Sequence, residues 1–134
     1  MTNGLSFHAI FPSILLVPTV IFLDQVSKSF AGNFLSVTCN KGIAFGIGNA
    51  LVFVPVFALV IIFWLLKIEK SPRNKTGLML ILSGGVSNLI DRIYHDCVRD
   101  FISISKFPLF NLADIAITIG ALVLVLSLFK KHFH

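Results

Sequence analysis

The chain has 134 residues, of which 56% are hydrophobic and only 13% charged, with a mean hydropathy of +0.93. That balance excludes an ordinary soluble domain and makes lipid the expected solvent for one compact domain spanning residues 1–134. The net charge of +5 is then read as membrane topology, not as a nucleic-acid footprint, because Lys and Arg in so apolar a chain sort to one side of a bilayer.

A transmembrane helix needs about 20 mostly apolar residues, and four such runs fit the length. The first, Phe7 to Leu23 with a span carried to about residue 27, tolerates Pro12 and Pro18 and is expected to stay uncleaved: no Lys or Arg precedes it. Residues 29–49 follow, rich in Gly and Asn, with a β-prone run at Phe34-Leu35-Ser36-Val37 that predicts a small strand-and-turn element on the membrane surface. The second span, about 50–67, carries no charge before Lys67 and gives way to a short basic loop with Ser71-Pro72 as its turn. The third, about 76–93, starts apolar and becomes small and polar through Ser83-Gly84-Gly85 and Ser87-Asn88 to Asp91-Arg92. The fourth, about 109–129, is stopped by Lys130-Lys131-His132. The expected fold is therefore all-α with four transmembrane helices and a small extracytoplasmic β element between the first two.

Charge sets the orientation. The loop between spans two and three, taken with the C-terminal tail, holds Lys67, Lys70, Arg73, Lys75, Lys130 and Lys131 against Glu69. The opposite side holds Lys28, Lys41, Arg92, Arg99 and Lys106 against Asp24, Asp91, Asp96, Asp100 and Asp114, so it carries no net charge. Both termini are expected in the cytoplasm, with every aspartate toward the outer face. Cys39 and Cys97 fall on that outer side, where a disulfide is permitted; their spacing alone neither pairs them nor makes a metal site.

Ionisable groups at membrane depth are costly and default to a functional reading. Asp114 stands about one turn into the fourth span, sharing a face with Asn111 and Thr118, while Gly84, Asn88, Asp91 and Arg92 share a face of the third. Gly84 and Gly85 leave room for a neighbouring helix. Asp100 lies in the outer connection and can dip back toward Asp114. Two carboxylates in one confined site cannot readily both ionise, so one holds a proton while the other acts as base toward water. The plainer alternatives are a helix-end ion pair for Asp24 and Lys28, and solvated interface positions for Asp91, Asp96 and Arg99.

Five blocks then resemble the lipoprotein signal peptidases (signal peptidase II), in order along nearly the whole chain: Asp24-Gln25-Val26-Ser27-Lys28, Asn40-Lys41-Gly42-Ile43-Ala44-Phe45-Gly46, Gly84-Gly85-Val86-Ser87-Asn88-Leu89-Ile90-Asp91-Arg92, Val98-Arg99-Asp100-Phe101 and Phe110-Asn111-Leu112-Ala113-Asp114. Ser87 stands where the family often has another small residue. The resemblance implies an aspartic endopeptidase of the bacterial inner membrane that cuts diacylglyceryl-modified prolipoproteins just before the lipidated cysteine, with its site near the outer face. Block by block it implies Asp100 and Asp114 as the catalytic pair, with Asn40, Asn88, Arg92 and Asn111 lining the pocket. Asp24, Lys28 and Asp91 would support that pocket, and Gly42 and Phe45 would belong to the element that covers substrate. It further implies inhibition by globomycin-type compounds, contact with membrane lipids, no metal or other cofactor, no nucleic-acid partner and a monomer. A small four-helix transporter is the main alternative, but its acid should lie near the bilayer midplane. A structural assembly factor would have to use the five polar blocks for packing and capping alone, at the high cost of such groups in lipid.

Overall fold

The computed structural model describes residues 7–41 and 50–133. Four helices, α1 (Phe7–Phe34), α2 (Ala50–Ile68), α3 (Pro72–His95) and α4 (Leu112–His132), are joined by two short strands, β1 (Thr38–Asn40) and β2 (Val98–Asp100). Gly42 and Phe45 lie outside the described residues.

The polar and apolar surfaces are arranged inside out. The fully enclosed residues are largely polar, among them Asp24, Lys28, Ser83, Ser87, Asn88, Asp91, Asp100 and Asn111, whereas large side chains such as Phe22, Phe57 and Leu128 are each about two-thirds exposed. Burial in water would select the opposite pattern. By length and apolar composition, Ile14–Phe34 and Leu112–His132 are able to cross a membrane, and Val52–Ile68 is a shorter apolar helix. α3 does not reach that standard because it carries the polar stripe, and it places that stripe among the other helices: it packs against α1, α2 and α4.

Small residues let α3 and α4 approach. A Cβ added to Gly77 would sit 3.0 Å from the Gly120 carbonyl oxygen, and one added to Gly84 would strike the Ala113 carbonyl. The two contacts lie seven residues apart on each helix, two turns along a shared antiparallel seam. Gly85 meets α2 instead, where a Cβ would come within 2.7 Å of Leu59.

The helix boundaries differ from the expected spans for local reasons. α1 continues through Phe34, so the run Phe34-Leu35-Ser36-Val37 is not the strand. The Phe34 ring packs against that of Phe30 at a tilt, with centroids 4.7 Å apart, and the Leu35 N–H still reaches the Ala31 carbonyl at 2.7 Å. The strand begins at Thr38, where antiparallel pairing sets Thr38, Cys39 and Asn40 opposite Asp100, Arg99 and Val98. α3 starts earlier than expected because Ser71 caps it and Pro72 suits its first turn. It ends at Asp96, an exposed residue in the left-handed conformation (φ 58°) that a short polar side chain tolerates. α4 starts three residues later than expected, since Phe110 is still bridged to Ile102 and Asn111 is extended at φ −139°. A disulfide joins Cys39 to Cys97, with Cα atoms 5.4 Å apart.

Candidate active site

Helices α1, α3 and α4 and both strands converge on a buried polar cluster at one end of the bundle. Asn111 is the N-cap of α4, and Asp114 is the third residue of that helix, not a residue one turn inside it. The Asn111 side-chain oxygen accepts the Asp114 N–H at 2.9 Å, and the Asp114 carboxylate accepts the Asn111 N–H at 3.2 Å. This reciprocal box satisfies two otherwise unpaired donors at the helix start.

With its oxygen committed to the cap, Asn111 has only its NH2 left to offer. That group donates to Asp100 Oδ1 at 2.8 Å. Asn88 on α3 is oriented in the same way: its oxygen accepts from Lys28 Nζ (3.1 Å) and Asn111 Nδ2 (3.2 Å), which turns its NH2 toward Asp114 Oδ1 at 3.1 Å. Asn40 on β1 donates to the remaining Asp100 oxygen at 3.0 Å. Among the described residues each oxygen of both carboxylates thus accepts one N–H, and Asn111 touches both acids.

Asp100 is 2% exposed. Burial pushes its carboxyl above the ordinary value and the neighbouring Asp114 charge adds to the effect, opposing the amide donors Asn40 and Asn111 and the Lys28 charge. The Arg92 guanidinium interacts with Asp114, Asp91 and Asp100 through its charge, and its Nε is buried without a partner among the described residues.

Beneath the acids lies a second network. Lys28 pairs with Asp24 at 2.6 Å and with Asp91 at 3.1 Å, all three side chains being fully enclosed. Asp24 also accepts from Ser87 Oγ (2.6 Å) and from the main-chain N–H of Ala113 (2.8 Å), which fastens α1 to the first turn of α4. Asp91 accepts from Arg99 Nη2 (2.9 Å), the Arg99 main-chain N–H (2.9 Å) and Gln25 Nε2 (3.0 Å). Two anions and two cations, Asp24 and Asp91 with Lys28 and Arg99, therefore balance within the fold.

Several residues stand elsewhere than the plainer sequence reading placed them. Asp24 and Lys28 do form an i, i+4 pair, but inside α1 and within the core, not at a helix end. Arg99 is not a solvated interface residue: its side chain is 18% exposed and holds both Asp91 and Gln25 Oε1. Ser87 is more than a small spacer, since it donates to Asp24 and accepts from Gln25 at 2.9 Å. The sequence gives Gln25, Ser87 and Arg99 no role in the site, although all three lie within the matching blocks; only their polarity beside Asp24, Asn88 and Asp100 marks them. Among the described residues, no group of three or more His, Cys, Asp and Glu is placed to hold a metal ion.

Residues 16–130 match the family model for signal peptidase (SPase) II. The chain is 36% identical over 135 residues to the lipoprotein signal peptidase of Caldicellulosiruptor bescii, covering 87% of this chain and 90% of that one. It is 39% identical over 120 residues to that of Streptococcus thermophilus, covering 83% and 78%. In three dimensions it resembles a bacterial membrane enzyme determined in meso at 2.3 Å resolution, with a TM-score of 0.82 at 25% identity over 92% of this chain and 90% of that one.

Proposed function

The chain belongs to the signal peptidase II family, and from that premise we propose that it cuts lipoprotein signal peptides as an aspartic endopeptidase whose catalytic pair is Asp100 and Asp114. The observation that carries the assignment is Asn111, which donates its side-chain amide to one acid and its main-chain N–H to the other. It holds two carboxylates in one enclosed site, the arrangement that lets a single proton be shared.

Asp100, whose carboxyl burial raises, holds that proton at rest. Asp114 takes a proton from water as the water oxygen attacks the scissile carbonyl, and Asp100 gives its proton to the carbonyl oxygen. Collapse of the tetrahedral intermediate returns a proton from a hydroxyl to Asp100 while Asp114 protonates the departing amine, so the pair ends as it began. Arg92, charged and partly unpaired beside both acids, is suited to hold a substrate carbonyl. Asn40, Asn88 and Asn111 orient the acids, and Asp24, Lys28 and Asp91 brace the helices that carry them. Gly42 and Phe45 are assigned to the covering element on the resemblance alone.

The substrate is a prolipoprotein whose cysteine carries a diacylglyceryl group. Its acyl chains can enter sideways among the exposed apolar side chains while the scissile bond reaches the helix ends. We place all four helices across the inner membrane of a bacterium with both termini cytoplasmic, and we take the protein as a monomer that globomycin-type compounds inhibit. A transporter is not favoured, because Asp114 sits in the first turn of its helix and Asp100 in a strand outside the helices.

The test compares wild type with Asp100→Asn and Asp114→Asn, purified in detergent, on a diacylglyceryl-modified prolipoprotein. Each substitution should lower kcat by at least about 10²–10⁴-fold, the range for loss of a positioned acid or base, with unchanged helix content. Wild-type rates in either variant would remove that residue from the pair.

A further inference from the structure

β1 is only three residues long and exposed along its whole length, and it pairs with one three-residue strand. A two-stranded ribbon of that size is marginal by itself. Yet Asn40 at its end supplies one of the two amide donors on Asp100. Something must keep so short a strand in register, since a slip of one residue turns every side chain to the opposite face.

The register shows what that is. Asn40 and Asp100 are diagonal neighbours, Asn40 facing Val98 while Asp100 faces Thr38, so both side chains leave the same face of the ribbon. Cys39 alternates to the other face, where it is joined to Cys97. Cys97 is 2% exposed, set between the end of α3 and the start of β2, and so offers a fixed anchor. We infer that the Cys39–Cys97 disulfide is a positioning element of the active site, a crosslink that holds Asn40 on Asp100 and makes catalysis depend on the thiol redox state of the outer face. The inference rests on the reading of Asp100 and Asp114 as the catalytic pair.

Opening the crosslink needs a two-electron reductant, a dithiol or a phosphine, which is oxidised as Cys39 and Cys97 become two thiols. Asn40 then loses its tether. Its amide favours the ionised form of Asp100, whose other charged neighbours are Asp114 on α4, Lys28 on α1 and Arg92 on α3. Without it, Asp100 keeps its proton to higher pH, so the alkaline limb of the activity profile moves upward.

The experiment measures kcat, KM and the pH profile of the full chain in detergent on a diacylglyceryl-modified prolipoprotein peptide, whose thioether survives reductant. Wild type is assayed oxidised, reduced with a phosphine and reoxidised, beside Cys39→Ser/Cys97→Ser and Asn40→Ala. Reduction should lower kcat/KM about tenfold, the equivalent of one hydrogen bond to a charged group, mainly through kcat, with the alkaline limb displaced upward and both effects reversed on reoxidation. The double Ser variant should behave as reduced wild type. Asn40→Ala should show the displaced limb already and respond no further to reductant.

Equal activity and pH profile with and without the disulfide would overturn the inference. So would loss of helix content on reduction, which would make the crosslink a global staple, or an undiminished reductant effect in Asn40→Ala. Loss of activity in Asp100→Asn and Asp114→Asn, together with indifference to reductant, would reject the crosslink and leave the catalytic pair standing; retained activity in those variants would reject the pair itself.

Discussion

Lys28 is 1% exposed, and its ammonium touches two carboxylates and an amide oxygen. Replacing it with Met leaves Asp24 enclosed with no cation among the described residues, because the Arg99 side chain is held by Asp91 and Gln25. Removing one partner of a buried pair costs about 3–5 kcal/mol, whereas Ser87→Ala removes the hydrogen bond to Asp24 and the one accepted from Gln25, whose amide keeps the Ser87 main-chain carbonyl and Asp91, a loss of about 1–3 kcal/mol. Thermal unfolding in detergent should accordingly rank Lys28→Met well below Ser87→Ala in Tm; equal losses would show that charge is not what the network resolves. At this scale the sequence was informative about residue type and much less about partners. Asp24 and Lys28 were readable as a pair because they stand four apart, but their links to Ser87 and Ala113 join positions 63 and 89 residues distant, and no local pattern carries them. Arg99 looked like solvated charge because its partners, Asp91 and Gln25, come from two helices.

Between elements, the seam of α3 and α4 decides where Asp114 stands. Gly84 lies against the Ala113 carbonyl, one residue before that aspartate. A Val there must push α4 outward, and a displacement of about 1 Å can cost on the order of 10²-fold in rate. Gly84→Val should therefore lose activity by about that factor while keeping its helical circular dichroism, and Gly32→Ala, with nothing within 4 Å of the added atom, should leave the rate unchanged. A Gly84→Val enzyme at wild-type rate would mean that the seam does not position the acid. The helices themselves could be read from apolar runs, and Gly84 was recognisable as a point of approach. The strand was misplaced by four residues because Phe34 and Leu35 have strand-like character, yet find helical partners in Phe30 and Ala31. α4 starts later than its apolar run because Phe110 is bridged to Ile102, a contact that hydropathy does not encode.

The molecule as a whole reads as a protein turned toward lipid, with charge marking its two sides. If the termini are cytoplasmic, the connection between β2 and α4 faces outward and the one between α2 and α3 inward. In a Cys39→Ser/Cys97→Ser background, Lys106→Cys should react with an impermeant maleimide on intact cells, and Lys70→Cys only after permeabilisation; the reverse pattern would invert the topology. Both positions are exposed. Composition conveyed the solvent and the sequence blocks conveyed the family, but closure of the bundle depends on contacts that span most of the chain. One such contact bears on biosynthesis. Asp24 leaves the ribosome 89 residues ahead of Ala113, whose N–H it finally accepts, so during translation the first helix has only the Asp24–Lys28 pair to shelter its charges. With Asp114 on α4, the proposed catalytic pair comes together only after that helix docks on α1 and α3, so a nascent chain whose α4 is still unmade has no pair to present to substrate.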